Sequence, residues 1–176
     1  MRLLRDSVQL TDTNGSRGVL LVQMFRAQLL LEEQRRLYDV WASAAGASLM
    51  PTRESFQPRA FGPLLPFISL IEAQSGQDLR VRVAGSALRD VFGSDPRECL
   101  SETCNPGAGD TIRRVIADCR PVCGVAPALT SGGTGVRFWL RLPLGVGGNV
   151  HAVIGLDIAL CGVRAPDWAL QQMASA

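Results

Sequence analysis

Lysine is absent from this sequence of 176 residues, and histidine occurs once, as His151. The lack of lysine excludes Schiff-base chemistry and the phosphate-binding P-loop, because both need a lysine amine. A single histidine excludes a histidine-rich metal site and leaves one candidate for any catalytic triad. No apolar run approaches the roughly 20 residues that a membrane-spanning helix needs, and the first residues lack the apolar stretch of a signal peptide.

Charge of either sign is also scarce, at 19% of the residues. The chain carries 18 arginines and 16 acidic residues, which gives a net charge of +2. A dedicated nucleic-acid-binding protein shows a stronger basic excess, so we expect no nucleic-acid partner. Five cysteines, an odd number without an export signal, predict reduced thiols and a cytoplasmic location. Apolar residues make up 47% of the chain, which is enough to fill a core.

The N-terminal part predicts a flexible tail over residues 1–18 and one long helix over residues 19–45. The helical stretch contains no proline or glycine, and Gly46 follows it as a C-cap. Its apolar side chains form one stripe, which Arg26 and Glu33 interrupt in the first half. We therefore predict that the first half pairs with a second copy while the second half packs on its own domain. The predicted homodimer contacts are Val22, Arg26, Leu29, Leu30 and Glu33.

Beyond a proline-rich connector, the hydrophobic period changes to two, the period of a half-buried strand. Strands are predicted over residues 67–73, 79–84, 122–130, 136–142 and 150–159. Short helices are predicted over residues 86–92 and 111–119, and loops over residues 94–110 and 143–149. This order predicts an α+β fold in which a five-stranded antiparallel sheet carries helices on one face beside the long N-terminal helix.

Several strings follow one another in a set order: Leu37-Tyr38-Asp39-Val40-Trp41, Pro51-Thr52-Arg53, Pro58, Leu64-Leu65-Pro66, residues 67–72, residues 79–88, Phe92-Gly93 and Leu142-Pro143-Leu144. Together they resemble a divergent family of bacterial PAS-domain proteins over about residues 35–160. The resemblance implies a PAS-like fold, which we assign to residues 46–162, with a C-terminal tail over residues 163–176. It also implies a non-catalytic sensory or regulatory role in bacterial signalling.

A PAS-like fold implies a ligand cavity between the sheet and the helices at residues 86–92 and 111–119. We expect a small apolar or planar ligand there, because few polar side chains are available to orient it. A fully packed core without ligand is the alternative, since the same side chains would fill it. The chain has no room for an output enzyme, so the signal is expected to leave through a protein partner. The predicted lining is Val81, Val83, Ser86, Leu88, Arg89, Phe92, Ile112, Ile116, Phe138 and Leu140.

Cysteine and His151 leave another interpretation open: a thiol-based redox sensor, or a small cysteine-dependent enzyme that uses His151. We expect no metal, because the spacing of Cys119 and Cys123 comes without a zinc-knuckle pattern. One histidine on a strand is more typical of an ordinary residue than of a haem ligand. The string around Cys104 does not match the one that flavin photochemistry needs. The sequence therefore names no cofactor.

Arginines occupy alternate positions in two predicted strands, Arg80 and Arg82 in one and Arg137 and Arg141 in the other. Alternate residues of a strand lie on the same face of the sheet. The simpler interpretation is a solvated sheet face. The functional interpretation is an arginine-lined face that binds a partner or a phosphate-bearing ligand.

Overall fold

A computed structural model describes residues 23–55, 57–73, 79–99, 106–130 and 133–162. The predicted tails over residues 1–18 and 163–176, and Val22 of the predicted dimer face, lie outside the described residues. Among the described residues, no helix is long and apolar enough to cross a membrane.

The helices are α1 (described over residues 23–28), α2 (Glu32–Ala45), α3 (Leu88–Phe92), α4 (Pro96–Cys99) and α5 (Pro106–Asp118). The strands are β1 (Ile68–Ala73), β2 (Leu79–Ala84), β3 (Val122–Thr130), β4 (Gly133–Val146) and β5 (Asn149–Cys161). The connector between α2 and β1 contains two 3₁₀-helices, Pro58–Ala60 and Gly62–Phe67. Pro63 stands in the first turn of the second one, where a missing N–H costs no hydrogen bond.

The five strands form one antiparallel sheet in the order β2-β1-β5-β4-β3. This confirms the predicted α+β fold class and its five-stranded antiparallel sheet. Strand β5 lies at the centre of the sheet, and all of its residues from 152 to 158 are buried. The two edge strands are β2 and β3, so the long strand β4 has β5 on one side and β3 on the other.

One face of the sheet, which we call the α2 face, packs against α2 in an apolar core. Leu37, Tyr38 and Trp41 of α2 belong to this core. Because successive strand residues alternate between faces, β4 and β5 contribute every second side chain. These sheet residues are Leu140, Leu142, Leu144, Ala152, Ile154, Leu156 and Ile158.

The opposite face of the sheet, which we call the α5 face, is covered by α3 and α5. Its smaller apolar cluster joins Ile112 and Val115 of α5 to Ile71 of β1 and Val153 of β5. Helices therefore cover both faces, with the N-terminal helix on one and the helices between β2 and β3 on the other. The α5 face is the one that the predicted cavity requires.

The predicted single helix over residues 19–45 is wrong, because the structure interrupts it at residues 29–31. Leu31 has an extended backbone, with φ −97° and ψ 147°. Neither proline nor glycine causes the break. The side-chain oxygen of Gln34 instead accepts hydrogen bonds from the backbone N–H groups of Leu30 and Leu31, at 3.1 Å each. This side chain caps the start of α2, which a continuous helix would not need.

Two predicted loops are also wrong. Residues 94–110 contain α4 and the first turn of α5, which begins at Pro106, a residue suited to the first helical position. Residues 143–146 continue β4 instead of turning. Strand β3 begins at Val122, opposite Arg141, so Pro143 lies beyond β3, where its missing N–H has no strand partner to lose.

Candidate functional site

The structure places half of the predicted cavity lining together on the α5 face. Val81, Phe92 and Ile116 pack against the cluster that contains Ile112. Leu88 of α3 is fully buried. These five side chains form the apolar part of the candidate site, between β2, α3 and α5.

The other half of the predicted lining lies elsewhere. Phe138 and Leu140 point to the α2 face, because β4 is registered with its even-numbered residues towards α2. Val83 is 51% exposed, and Ser86 and Arg89 are exposed as well. None of these five side chains faces the interior of the α5 face, so their predicted placement there is corrected.

Strand β4 presents two arginines and a tryptophan to the α5 face in place of Phe138 and Leu140. Arg137 lies over the ring of Phe92 on α3, with 4.7 Å from its guanidinium carbon to the ring centre. The guanidinium carbon of Arg141 lies 5.6 Å from the ring centre of Trp139. The sequence pattern showed that the two arginines share a face, and the structure shows that this face is interior.

Arg141 and Asp157 form a buried, two-pronged ion pair on this face. Both Nη1–Oδ2 and Nη2–Oδ1 are 2.9 Å long, and Nη1 also donates to the backbone carbonyls of Leu140 and Leu156. Arg137 Nε lies 3.9 Å from Asp157 Oδ1. A buried ion pair gains little net stability over a well-packed apolar replacement, because both charges lose their hydration. Net stability alone therefore does not account for this pair.

Two glycines make room for these side chains on the sheet surface. A Cβ at Gly155 would lie 2.4 Å from Ser69 Oγ and 3.1 Å from Arg141 Nη1, and one at Gly124 would lie 2.4 Å from the Trp139 ring. The strand register sets Ser69, Gly155 and Arg141 side by side. The hydroxyl of Ser69 is fully buried and has no hydrogen-bond partner among the described residues. The centre of the α5 face is therefore polar and tightly shaped.

The same strand is bonded to α2 through two of its carbonyl groups. Gln34 Nε2 donates to the carbonyl of Trp139 at 3.1 Å, and Trp41 Nε1 donates to the carbonyl of Pro143 at 2.8 Å. These two carbonyls lie on either side of Arg141 in the sequence of β4. A displacement of β4 by groups on the α5 face would thus reach α2 directly.

A groove of about 420 Å³ lies between the N-terminal helices and β3, away from the α5 face cluster. Gln28, Leu30 and Gln34 line it from the helix side, and residues 123–125 line it from β3. Its lining contains no charged side chain, so it differs in character from the arginine-rich interior of the α5 face.

Cys119, Cys123 and Cys161 form no disulfide with one another. Burial raises the pKa of the Cys123 thiol, which is the reverse of what a thiolate nucleophile needs. His151 is exposed on β5. Within the described ranges, no group of three or more histidine, cysteine, aspartate or glutamate side chains could hold a metal ion.

A comparison with protein families gives one match, to a family model described as a PAS domain. It covers residues 31–146, which is well over half of the chain. A comparison with curated proteins finds no match.

Several solved structures are similar to this chain at low sequence identity. The PAS domain of BvgS from Bordetella pertussis is 17% identical, with a TM-score of 0.41. The alignment covers 65% of this chain and 88% of that one. The Rhodobacter sphaeroides LOV protein is 14% identical, with a TM-score of 0.40, and the alignment covers 61% of this chain and 65% of that one. A light-oxygen-voltage domain studied with a flavin analogue is 16% identical, with a TM-score of 0.45, and the alignment covers 66% of this chain and 90% of that one. Similarity at this level assigns no ligand or partner to the chain.

Proposed function

The chain belongs to the PAS domain family of sensory signalling domains, and from that premise we propose that it senses a small ligand on the α5 face. In this proposal it catalyses no reaction and signals through contact with a protein partner. The observation that carries the proposal is the double role of β4. Its side chains Arg137 and Arg141 enter the candidate site, while its carbonyl groups hold α2 on the opposite face.

The chemistry of the α5 face favours a ligand with a flat apolar body and a polar or anionic group. Phe92 and Trp139 supply aromatic surface, and Arg137 supplies a planar guanidinium that suits a carboxylate or phosphate. The expectation from the sequence was an apolar lining with Ser86 and Arg89 as the polar groups. The polar groups that support the proposal are Arg137, Arg141 and Asp157 instead.

Signalling would follow from a shift between two positions of β4. A ligand that binds one position better increases the population of that position. The hydrogen bonds from Gln34 and Trp41 to β4 would carry the shift to α2. A protein partner would then recognise the changed helix surface.

The thiol alternative has less support. A cysteine-dependent enzyme would need a thiolate beside His151, whereas burial raises the pKa of Cys123. A redox sensor would need a reactive, accessible thiol, and Cys161 is exposed. Measuring the alkylation rate against pH separates the two proposals, since ligand sensing requires no thiol with a lowered pKa.

The test is native mass spectrometry, with an absorption spectrum, of the purified protein before and after incubation with a metabolite extract. Arg137→Gln removes an interior guanidinium, whereas Arg114→Gln removes an exposed one on α5 and is the matched control. We expect a ligand adduct in the parent and in Arg114→Gln that is lost in Arg137→Gln. An adduct that survives equally in all three proteins would place binding elsewhere. No adduct from any extract would contradict ligand sensing and leave protein contact alone.

A further inference from the structure

We propose that the break at residues 29–31 is a conformational switch. In the observed state α1 folds back beside α2, and in a second state the two join as one continuous helix. This switch goes beyond the proposed sensing role, because it names the element that would change shape and the contacts that hold it.

The fold-back is defined by contacts between residues far apart along a helix. Arg26 and Asp39 form a two-pronged ion pair with distances of 2.7 and 2.9 Å. In a continuous helix their Cα atoms would be about 20 Å apart along the axis, so this pair exists only in the bent state. The rings of Phe25 and Tyr38, with centres 5.1 Å apart, repeat the same geometry.

The bent state has contacts that favour it and apolar side chains that it leaves exposed. Leu29 anchors the bent state, since it is 1% exposed and belongs to the α2 face core. The Arg26–Asp39 pair is 43% and 48% exposed, and pairs of that kind shift an equilibrium by up to about five-fold. The bent state also leaves Met24 56% and Leu30 37% exposed.

The sequence itself favours the continuous helix. Residues 19–45 contain no proline or glycine and are rich in residues with high helix propensity. Straightening would give the N–H groups of Leu30 and Leu31 backbone partners one turn earlier, in place of the Gln34 side chain. The break is thus held by tertiary contacts together with the local cap from Gln34, against the helix propensity of the stretch.

Gln34 connects this joint to the rest of the domain. Its oxygen accepts the N–H groups of Leu30 and Leu31, and its nitrogen donates to the carbonyl of Trp139 on β4. Any movement of β4 at this carbonyl therefore changes the cap that keeps the helix broken. Only the nature of the stimulus depends on the proposed ligand site; the two helix states do not.

The occupant that suits the straight state is a second copy of this chain. In the bent state Leu29 is buried and Arg26 is paired within the chain, so the predicted dimer stripe is not available. Straightening would return Leu29, Leu30 and Glu33 to one surface, and pairing would cover the two leucines. The predicted homodimer therefore belongs to the straight state.

The test is a distance measurement by pulsed electron paramagnetic resonance on the full chain. Spin labels would be attached through non-natural amino acids at Met24 and Ser43, both exposed, because the chain has five native cysteines. A continuous helix places these two Cα atoms about 28 Å apart, and the bent state places them closer. Gln34→Ala should raise the straight-to-bent ratio about ten-fold or more, and Arg26→Ala by up to about five-fold. Arg114→Ala, which removes another exposed ion pair, is the control and should change nothing.

The outcomes separate clearly. A new long-distance population in both Gln34→Ala and Arg26→Ala supports the switch. The charge swap Arg26→Asp with Asp39→Arg restores the ion pair, so it should show the short distance again. A single short distance in both variants overturns it. If Gln34→Ala fails to fold, the double variant Arg26→Ala/Asp39→Ala decides, since both side chains are half exposed. Sedimentation at a protein concentration of roughly tens of micromolar tests whether a second copy binds. A straight population that stays monomeric overturns the pairing. These readouts need no ligand, so they can fail independently of the proposed sensing site.

Discussion

The two faces of the sheet are built on opposite principles. The α2 face is filled by leucine and isoleucine side chains that pack against Leu37 and Trp41. The α5 face holds a buried ion pair, a hydroxyl without a partner and two aromatic rings beside guanidinium groups. Strand β4 contributes to both, with leucines on one side and arginines on the other.

Under the proposed function, this difference separates stability from ligand response within one strand. Buried apolar area stabilises the fold in proportion to its size, so the α2 face accounts for most of the stability of the sheet. Buried charges lose their hydration, so the ion pair on the α5 face adds little to that stability. The contrast predicts that substitutions on the α2 face unfold the domain, whereas paired replacements on the α5 face spare the fold and change its response.

Removing Trp41 should have the largest effect. Its ring lies in the α2 face core, and its Nε1 donates to the carbonyl of Pro143. We expect Trp41→Ala to lower the free energy of unfolding by about 3 to 5 kcal/mol, from the lost contacts and the cavity. Trp41→Phe is the matched control and should cost about 1 to 2 kcal/mol, mainly for the hydrogen bond. Urea denaturation measures both, and an unchanged midpoint for Trp41→Ala would contradict this view of the α2 face.

Breaking the ion pair of the α5 face should come next. Asp157→Ala leaves the Arg141 guanidinium buried without its carboxylate, and we expect a loss of about 3 kcal/mol. The double replacement Arg141→Met with Asp157→Leu should recover part of that loss, because no guanidinium of Arg141 is then buried without its carboxylate, while Arg137 keeps its charge beside position 157. A double-mutant cycle in denaturant measures the coupling. If the double variant is as unstable as the sum of the singles, the two side chains are not coupled and the contrast between the faces fails.

A smaller effect is expected at the glycine beneath this cluster. Gly155→Ala should cost about 1 to 3 kcal/mol, because its Cβ would lie 2.4 Å from Ser69 Oγ. Ser69→Ala alone should be close to neutral, since its hydroxyl has no hydrogen-bond partner to lose in the part of the chain that the structure describes. The two substitutions together should cost less than Gly155→Ala alone, as thermal unfolding can show. Additive losses would mean that Arg141, and not Ser69, is the neighbour that resists.

The smallest effect concerns an exposed ion network, which contrasts with the buried pair. Hydrogen bonding to Arg82, and then to Arg53, holds the pKa of the Glu72 carboxyl below its usual 4.5. Because its pKa is lowered, the ionised Glu72 carboxylate stabilises the fold above pH 4.5. This stabilisation is lost as the pH falls through the lowered pKa. Glu72→Gln should therefore melt slightly lower than the parent at pH 7, and the difference should vanish in strong acid. A difference that grows on acidification would reverse the sign and exclude this account.

The sequence was informative wherever a local pattern decided the structure. Strand β2 and helix α3 follow their periodicity, and Gly93 ends α3 in the left-handed conformation, with φ 72°. The alternation in β4 showed that Arg137 and Arg141 share a face. It could not show which face turns towards α5, because β4 is covered on both sides and either set of side chains could lie there. The predicted lining from β4 was therefore assigned to the wrong face.

The helix break lay beyond local reasoning for a different reason. Gln34 holds the broken end through the carbonyl of Trp139, which is 105 residues away in the chain. A local sign was present, since Glu32, Glu33 and Gln34 are residues that favour the first turn of a helix. The sequence alone, however, does not show that this first-turn pattern outweighs the helix propensity of the whole stretch, because the contact with the sheet decides between them.

Pro143 has a further consequence for how these molecules behave at high concentration. Strand β3 does not extend beyond Val122, which lies opposite Arg141, so the following part of β4 would offer a free strand edge. Other chains can add to such an edge as extra strands. Here the proline has no N–H, its carbonyl is occupied by Trp41, and the N–H of Gly145 donates to the carbonyl of Pro51. The edge is thereby closed without a sixth strand. Along this part of β4, one indole and one loop take the hydrogen-bonding groups that an added strand would need.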